Sequence, residues 1–342
     1  MESAAANAIK MIGYKKNDPN LLVITNAGYG QLDGNRTTVM LDILSEISGC
    51  TAGKNSLLGA LTAHNTPVWF SMRSETGKTV FFKWDKGSFV SQVFNTSPDA
   101  LLKYKSWQDI TRGTIGTDFF YTIASITALW LENAPWYVLK GAEMHGAACP
   151  GNYGGFLVHH YLQEQLPLDE GDRYHFIFAP PTCAMDILRV IYASSAGQKQ
   201  MFAIQCSGEK LSTYFSSNIV TFATVMRVNQ KKDICDGVVL GFDLQSACRD
   251  ADVDITTFFP KGLRTNPLFG FSRTKVCHAL AVRNIQEQMV YISERKVFSG
   301  DATMARQITE CGYNPYSVIF TEHPSNTEKT VLPHVVPGTG KR

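Results

Sequence analysis

The 342-residue chain is predicted to be an α+β protein made of two tandem, related α+β core domains packed as a pseudo-dimer. Three observations lead there. A helical segment recurs in the two halves of the chain, and a short apolar stretch with strand character precedes each copy. The composition, 44% hydrophobic and 18% charged residues, is that of a globular protein long enough for two proper cores.

The recurring segment is Met40-Leu41-Asp42-Ile43-Leu44-Ser45-Glu46-Ile47, matched without gaps by Ala184-Met185-Asp186-Ile187-Leu188-Arg189-Val190-Ile191 at an offset of 144. Both carry Asp-Ile-Leu in the same place. Met40, Ile43, Leu44 and Ile47 fall at helical spacing, as do Ala184, Ile187, Leu188 and Ile191, so each copy forms an amphipathic helix with one buried face. The match runs on to Gly53 and Gly197. The competing explanation is two unrelated helices sharing three residues by chance; the agreement of the flanking elements favours duplication.

In the first copy, residues 21–25 form a strand, and a loop over residues 26–36 leads to a helix with Thr38 as its cap candidate. Gly28, Gly30 and Gly34 could turn backbone N–H groups toward an anion, although a glycine-rich turn by itself does not specify a phosphate site. The second copy has a strand over residues 174–178, only Ala179-Pro180-Pro181 as its loop, and Thr182 as cap candidate. Strand candidates at 80–84 and 201–205 follow the two helices in the same order.

Between the copies, Asn95-Thr96-Ser97-Pro98-Asp99 reads as a turn and residues 106–139 as helical. A linker near residue 125 divides the chain into domains 1–125 and 126–342, the second carrying a C-terminal extension. There, residues 237–242 form a buried strand and 281–296 a helix with basic residues at its end, while Pro324, Pro333 and Pro337 make the tail irregular.

Composition narrows the partners. Net charge is +2, from 32 basic and 30 acidic residues, so no electrostatic footprint for nucleic acid or an anionic membrane is present. The longest uncharged apolar run, residues 119–131, falls short of the ~20 needed to cross a bilayer and reads as a buried helix. The first residues lack the basic and apolar regions of a signal peptide, so a cytoplasmic protein is the expectation, with export after signal cleavage as the alternative. Eight cysteines occur without a C-x-x-C pair, which leaves no support for a zinc ribbon or thioredoxin motif.

The chemistry concentrates at His145-Gly146-Ala147-Ala148-Cys149-Pro150-Gly151. Proline is favoured at the first helical position, so Cys149 stands at a helix N-terminus, where the dipole favours a thiolate. Cys183 lies at the start of the second repeated helix. An imidazole and a thiol so placed can each bind a metal. Cys277-His278 and His159-His160 are neighbours whose side chains diverge, and Cys206, Cys235, Cys248 and Cys311 read as packing residues.

These residues resemble the FmdE-like metal-binding domain family of formylmethanofuran dehydrogenase, whose members carry H-G-H-x-C-P-G followed by C-x-x-D-x-I and G-C-T-x-G-K. His145, Gly146, Cys149, Pro150 and Gly151 match the first motif, with Ala147 in place of the second histidine. Cys183, Asp186 and Ile187 nearly match the second. The third stands intact in the first copy as Gly49-Cys50-Thr51-Ala52-Gly53-Lys54 and is lost from the second. The resemblance covers roughly half of the chain. It implies α+β core domains that dimerise, and a site for zinc or another thiophilic metal made of His145, Cys149 and Cys183, with Cys50 or Lys54 completing it across the pseudo-dimer. It also suggests one-carbon metabolism or service to a molybdenum or tungsten enzyme, within a homo-oligomer or an enzyme complex.

Three functions therefore compete: a metal-binding protein; a redox or nucleophilic enzyme using Cys149 and Cys183 with His145 as base and Cys50 as an optional third thiol; and a non-catalytic assembly module that tolerates Cys149→Ala.

Overall fold

A computed structural model describes residues 2–207, 211–215, 220–310 and 314–321. The first half runs α1 (Glu2–Ile12), β1 (Leu22–Thr25), the small hairpin β2 (Gln31–Leu32) and β3 (Asn35–Arg36), α2 (Val39–Ser48) and β4 (Leu57–Gly59). Strands β5 (Trp69–Arg73), β6 (Lys78–Asp85) and β7 (Ser88–Asn95) complete its sheet. Helices α3 (Pro98–Leu101), α4 (Tyr104–Thr111), α5 (Gly116–Leu131) and α6 (Trp136–His145) follow. With α6 the second half begins, and it continues through α7 (Pro150–Gln165), β8 (Arg173–Phe178), α8 (Ala184–Tyr192), β9 (Met201–Ala203), β10 (Val220–Asn229) and β11 (Ile234–Phe242). Helices α9 (Leu244–Asp250), α10 (Pro267–Ala281) and α11 (Ile285–Met289) then intervene before β12 (Ile292–Gly300), α12 (Ala302–Thr309) and α13 (Pro315–Ile319).

The fold class is α+β, with one five-stranded sheet in each half. Their strand orders are β4-β1-β5-β6-β7 and β9-β8-β10-β11-β12. In each sheet the first strand pairs parallel with an edge strand, Val23 opposite Leu57 and Phe176 opposite Met201, and every other pair is antiparallel. Each parallel step crosses through the repeated helix. Strand β9 thus occupies the position of β4, and the expected correspondence between residues 80–84 and 201–205 is corrected: 80–84 belong to an inner antiparallel strand.

Packing between the halves does not follow the expected pseudo-dimer. In the first sheet, Leu21, Val23, Phe70 and Met72 face α1 and α2 in a separate cluster, whereas Leu22, Ile24, Trp69 and Phe81 join the large central core. In the second sheet it is the helix-covered face, with Tyr153 and Leu157 of α7 and Ile187 and Leu188 of α8, that joins this core. Its opposite face packs on α12 and α13 through Met226, Val239 and Ile308. The halves therefore meet front to back. A two-fold arrangement would bring like faces together.

Residue 125, the expected linker position, lies inside α5, and Ser125 is fully buried. The chain passes between the halves through a buried helix because seven α5 side chains, from Phe120 to Leu129, are part of the shared core. Residues 281–296 are also corrected. An Asn284–Glu287 capping box starts only the short α11, and from Ile292 the chain pairs with β11 as a strand, so the unpaired edge of that sheet overrides helical periodicity. The cap candidates fail locally: Thr38 has helical backbone angles and makes no capping bond, and Thr182 donates to the Phe222 carbonyl instead. The 26–36 loop spends its N–H groups internally, Gly28 on Thr37 and both Tyr29 and Gly30 on the Asn26 carbonyl. Among the described residues no helix is long and apolar enough to cross a membrane. Cys311 and the tail from residue 323 lie outside the described residues.

Candidate metal centre

Helix α6 ends at His145, where Gly146 takes the left-handed conformation at φ 81° and closes the helix onto the Glu143 carbonyl. Two alanines later Cys149 caps α7, with Pro150 at its first position, as the sequence predicts. The Cys149 sulfur accepts the Asn152 N–H at 3.3 Å. The intervening turn is held by α5. Thr122 Oγ1 donates to the Gly146 carbonyl at 2.7 Å, Tyr121 donates to the Ala148 carbonyl at 2.8 Å, and Ala148 N–H donates to Ser125 Oγ at 3.0 Å. A buried helix in the middle of the chain thereby sets the spacing between imidazole and thiol.

Cys183 arrives from 34 residues further along the chain, at the N-cap position of α8. Helix α8 reaches this position by packing on α6 and α7, where Ala184, Ile187 and Leu188 are buried. The approach is close at Gly155, whose α-carbon leaves no room for a side chain beside Ile187 and the Ala184 backbone. As a result one ligand atom from each of His145, Cys149 and Cys183 lies within 4.8 Å of the others.

Asp186 orients the imidazole. Its Oδ2 lies 2.7 Å from His145 Nδ1, which leaves Nε2 facing Cys149 Sγ at 3.5 Å. Carboxylate, histidine and thiols are thus arranged as a metal-binding histidine with its outer-sphere partner. The equivalent Asp42 is exposed on α2, so the aspartate common to both copies has this partner only in the second.

The protonation pattern follows from these contacts. Burial opposes a charged His145, yet its hydrogen bonds with Asp186 and Cys183 outweigh that and raise its pKa to about 9. The hydrogen bond from Cys149, reinforced by His145 and opposed by burial, brings Cys183 down to about 4. That same hydrogen bond, with burial, holds Cys149 well above the usual thiol range. The expectation of a thiolate at Cys149 meets the opposite direction: burial and the hydrogen bond shared with Cys183 hold the Cys149 thiol up, while the same bond and His145 lower Cys183.

A cleft of about 500 Å³ opens onto the three side chains between α5, α10 and the segment around Thr62. Ala147, which replaces the second histidine of the resembled motif, lines the same cleft. Two sulfurs and one imidazole could thus hold a metal ion, and the cleft opens onto them. Asp186→Asn is expected to weaken metal binding by about 10–100-fold, the usual cost of losing such an outer partner, measured by competition with a chromophoric chelator.

Cys50 does not join this group. It is buried in the cluster between α1, α2 and the first sheet, with its thiol directed to the Leu21 carbonyl at 3.6 Å, and Lys54 is exposed. Front-to-back packing is the cause, since it leaves that face of the first half on the side away from the shared core. His278 turns to Glu132 at 3.1 Å while Cys277 stays fully buried, so these neighbours do diverge. His159 pairs with the Tyr192 hydroxyl at 2.8 Å, and His160 packs on Phe156. Cys235 and Cys248 are core residues, and Cys206 is partly buried beside the outer cluster of the second sheet.

Tyr121 and Arg273 are among the cleft residues that the sequence reading did not single out. Both sit on helices that carry no motif. The available signal at Arg273 is a cation just after Phe269 and Phe271, on a helix that also carries Lys275 and His278. No known protein family, curated protein or solved structure matches the chain.

Proposed function

We propose that the protein is a metal-binding protein whose second half holds zinc or another thiophilic transition metal through His145, Cys149 and Cys183. The observation that carries this is the convergence of the three ligand atoms within 4.8 Å, with Asp186 fixing the imidazole so that Nε2 faces the sulfurs. When bound, such a metal supplies Lewis acidity at a position open to the cleft. The chain's own residues orient the imidazole, hold the two sulfurs at helix starts, and wall the cleft. Service to one-carbon or molybdenum and tungsten enzyme metabolism follows from the motif resemblance alone, and the reaction is a matter for the cleft's ligand.

The test is elemental analysis of anaerobically purified protein, with one equivalent of metal expected. Loading has a defined pH signature. Cys183 is already ionised at neutral pH, whereas His145, raised to about 9, and Cys149, above it, must each give up a proton to ligate. Two protons leave per metal, so affinity is expected to rise about a hundredfold per pH unit through the neutral range. Calorimetry in buffers of different ionisation enthalpy counts them; no release at pH 7 would exclude this ligand set.

The second reading is a cysteine nucleophile, favoured by the Cys183 thiolate beside a His145 imidazolium that Asp186 supports. A thiolate fraction that rises through pH 4, not 9, predicts that metal-free Cys183 alkylates at nearly its full rate at pH 6. A rate that still climbs from pH 7 to 9 sinks this reading.

A further inference from the structure

Arg273 stands in the wall of the cleft without a carboxylate partner among the described residues. Its placement is rigid. One terminal nitrogen donates to the carbonyls of Phe258 and Phe269, at 2.8 and 3.1 Å, and the guanidinium lies 3.6 Å from the centre of the Phe269 ring and 4.8 Å from that of Phe258. The nearby groups that interact with its charge are the Tyr121 phenol and the sulfurs of Cys149, Cys183 and Cys277. A half-buried guanidinium normally meets a carboxylate, because desolvating an unpaired charge is costly. The other cations on the cleft wall are the exposed Arg264 and the His145 imidazolium, and Asp118 is the lining carboxylate.

We infer that the cleft binds a small organic anion, its carboxylate held by Arg273 and its body extending along Phe269 to the His145–Cys149–Cys183 cluster. The guanidinium fork matches a carboxylate in two parallel hydrogen bonds, and the aromatic packing around it removes the entropy cost of fixing a long side chain at the moment of binding. The cleft volume, about 500 Å³, suits a ligand of metabolite size. The helix that carries Arg273 belongs to the segment between β11 and β12, for which the first half has only the tight β6–β7 turn. The anion end of the cleft is thus an addition peculiar to the second half. This inference rests on the cluster being the chemical centre of the cleft, but not on its holding a metal.

Iodoacetate and iodoacetamide test it on the full-length protein, as isolated and after chelator treatment, with mass spectrometry locating the label. In both reagents a cysteine sulfur forms a C–S bond to the methylene carbon as the C–I bond breaks and iodide leaves. Only iodoacetate carries the negative charge. At Cys183 of the chelator-treated protein, the rate ratio of iodoacetate to iodoacetamide is expected to exceed that of free cysteine by about tenfold or more and to saturate with iodoacetate, as anion capture beside a thiol requires. Arg273→Gln returns the ratio to the free value, and Arg273→Lys, which keeps the charge and loses the fork, falls between.

Because Arg273 also braces two carbonyls, the wild type supplies a check that needs no variant: propionate slows iodoacetamide labelling of Cys183, and propionamide does not. A wild-type ratio no greater than that of free cysteine, a preference that survives Arg273→Gln, or a Cys183 that neither reagent reaches overturns the inference. Metal content of the same samples reports on the metal reading separately. Protein that holds metal but shows no anion preference sinks this inference alone; protein without metal that shows Arg273-dependent labelling sinks the other.

Discussion

Cys149→Ser is expected to lose the metal while keeping the fold, and Cys149→Ala to lose the metal and some stability as well. The two variants separate the two duties of one sulfur, which caps α7 by accepting the Asn152 N–H and faces His145 Nε2 at 3.5 Å. A serine hydroxyl takes over the cap, since serine is among the preferred N-cap residues, but it is a poor ligand for a soft metal. Loss of a direct ligand should exceed the ~10–100-fold cost of an outer-partner change, so neither variant retains metal through purification. In the metal-free proteins, alanine should be less stable than serine by about 1 kcal/mol, the usual worth of a cap. Chelator competition and denaturant unfolding of the metal-free forms read the two effects independently. A Cys149→Ala protein with normal metal content returns the thiols to packing residues and revives the assembly-module reading.

Gly155→Ala should destabilise the protein although alanine is the better helix former. At this position a β-carbon would lie 2.4 Å from Ile187 Cγ2, 2.9 Å from the Ala184 carbonyl oxygen and 3.0 Å from the Ala184 α-carbon. Helix propensity favours the change by about 1 kcal/mol, while overpacking a tight contact costs about 1–3 kcal/mol. The overpacking cost wins here because two of the three atoms are backbone, so rotamer changes cannot relieve the clash and α8 must shift. That shift moves Cys183, which begins the helix, so a lower denaturation midpoint should come with weaker metal retention. Adding Ile187→Ala removes one clashing atom and leaves the backbone contacts, and so restores only part of the loss. A single variant as stable as the wild type would mean that the α7–α8 contact is looser than described.

Ligand identities were legible in the chain because they depend on local chemistry. A proline after Cys149, a glycine after His145 and the repeated Asp-Ile-Leu each encode a helix end or a buried stripe within a few residues. Asp186 illustrates the limit. Its recurrence as Asp42 is legible, and a shared structural duty explains it from sequence, yet only the second copy turns the carboxylate onto a histidine. Cys50 shows the same limit from the other side: its motif is the more complete of the two, and it is buried in the cluster that faces away from the shared core.

By itself the sequence determined the α+β class and the two amphipathic helices, read from spacing and side-chain type, and the motif resemblance singled out the set His145, Cys149 and Cys183. Tertiary structure alone decided which faces of the two sheets meet, which cysteine carries the charge, and that Arg273 of α10 shares the cleft. Spacing along the chain fixes which side of an element is apolar, but it does not say which of several apolar faces will bury another. That choice is made by the whole core at once. Here α5 lies in the core shared by the two sheets, so the face of the second sheet that α8 covers turns inward, and the His145–Cys149–Cys183 group opens onto a cleft walled by both halves.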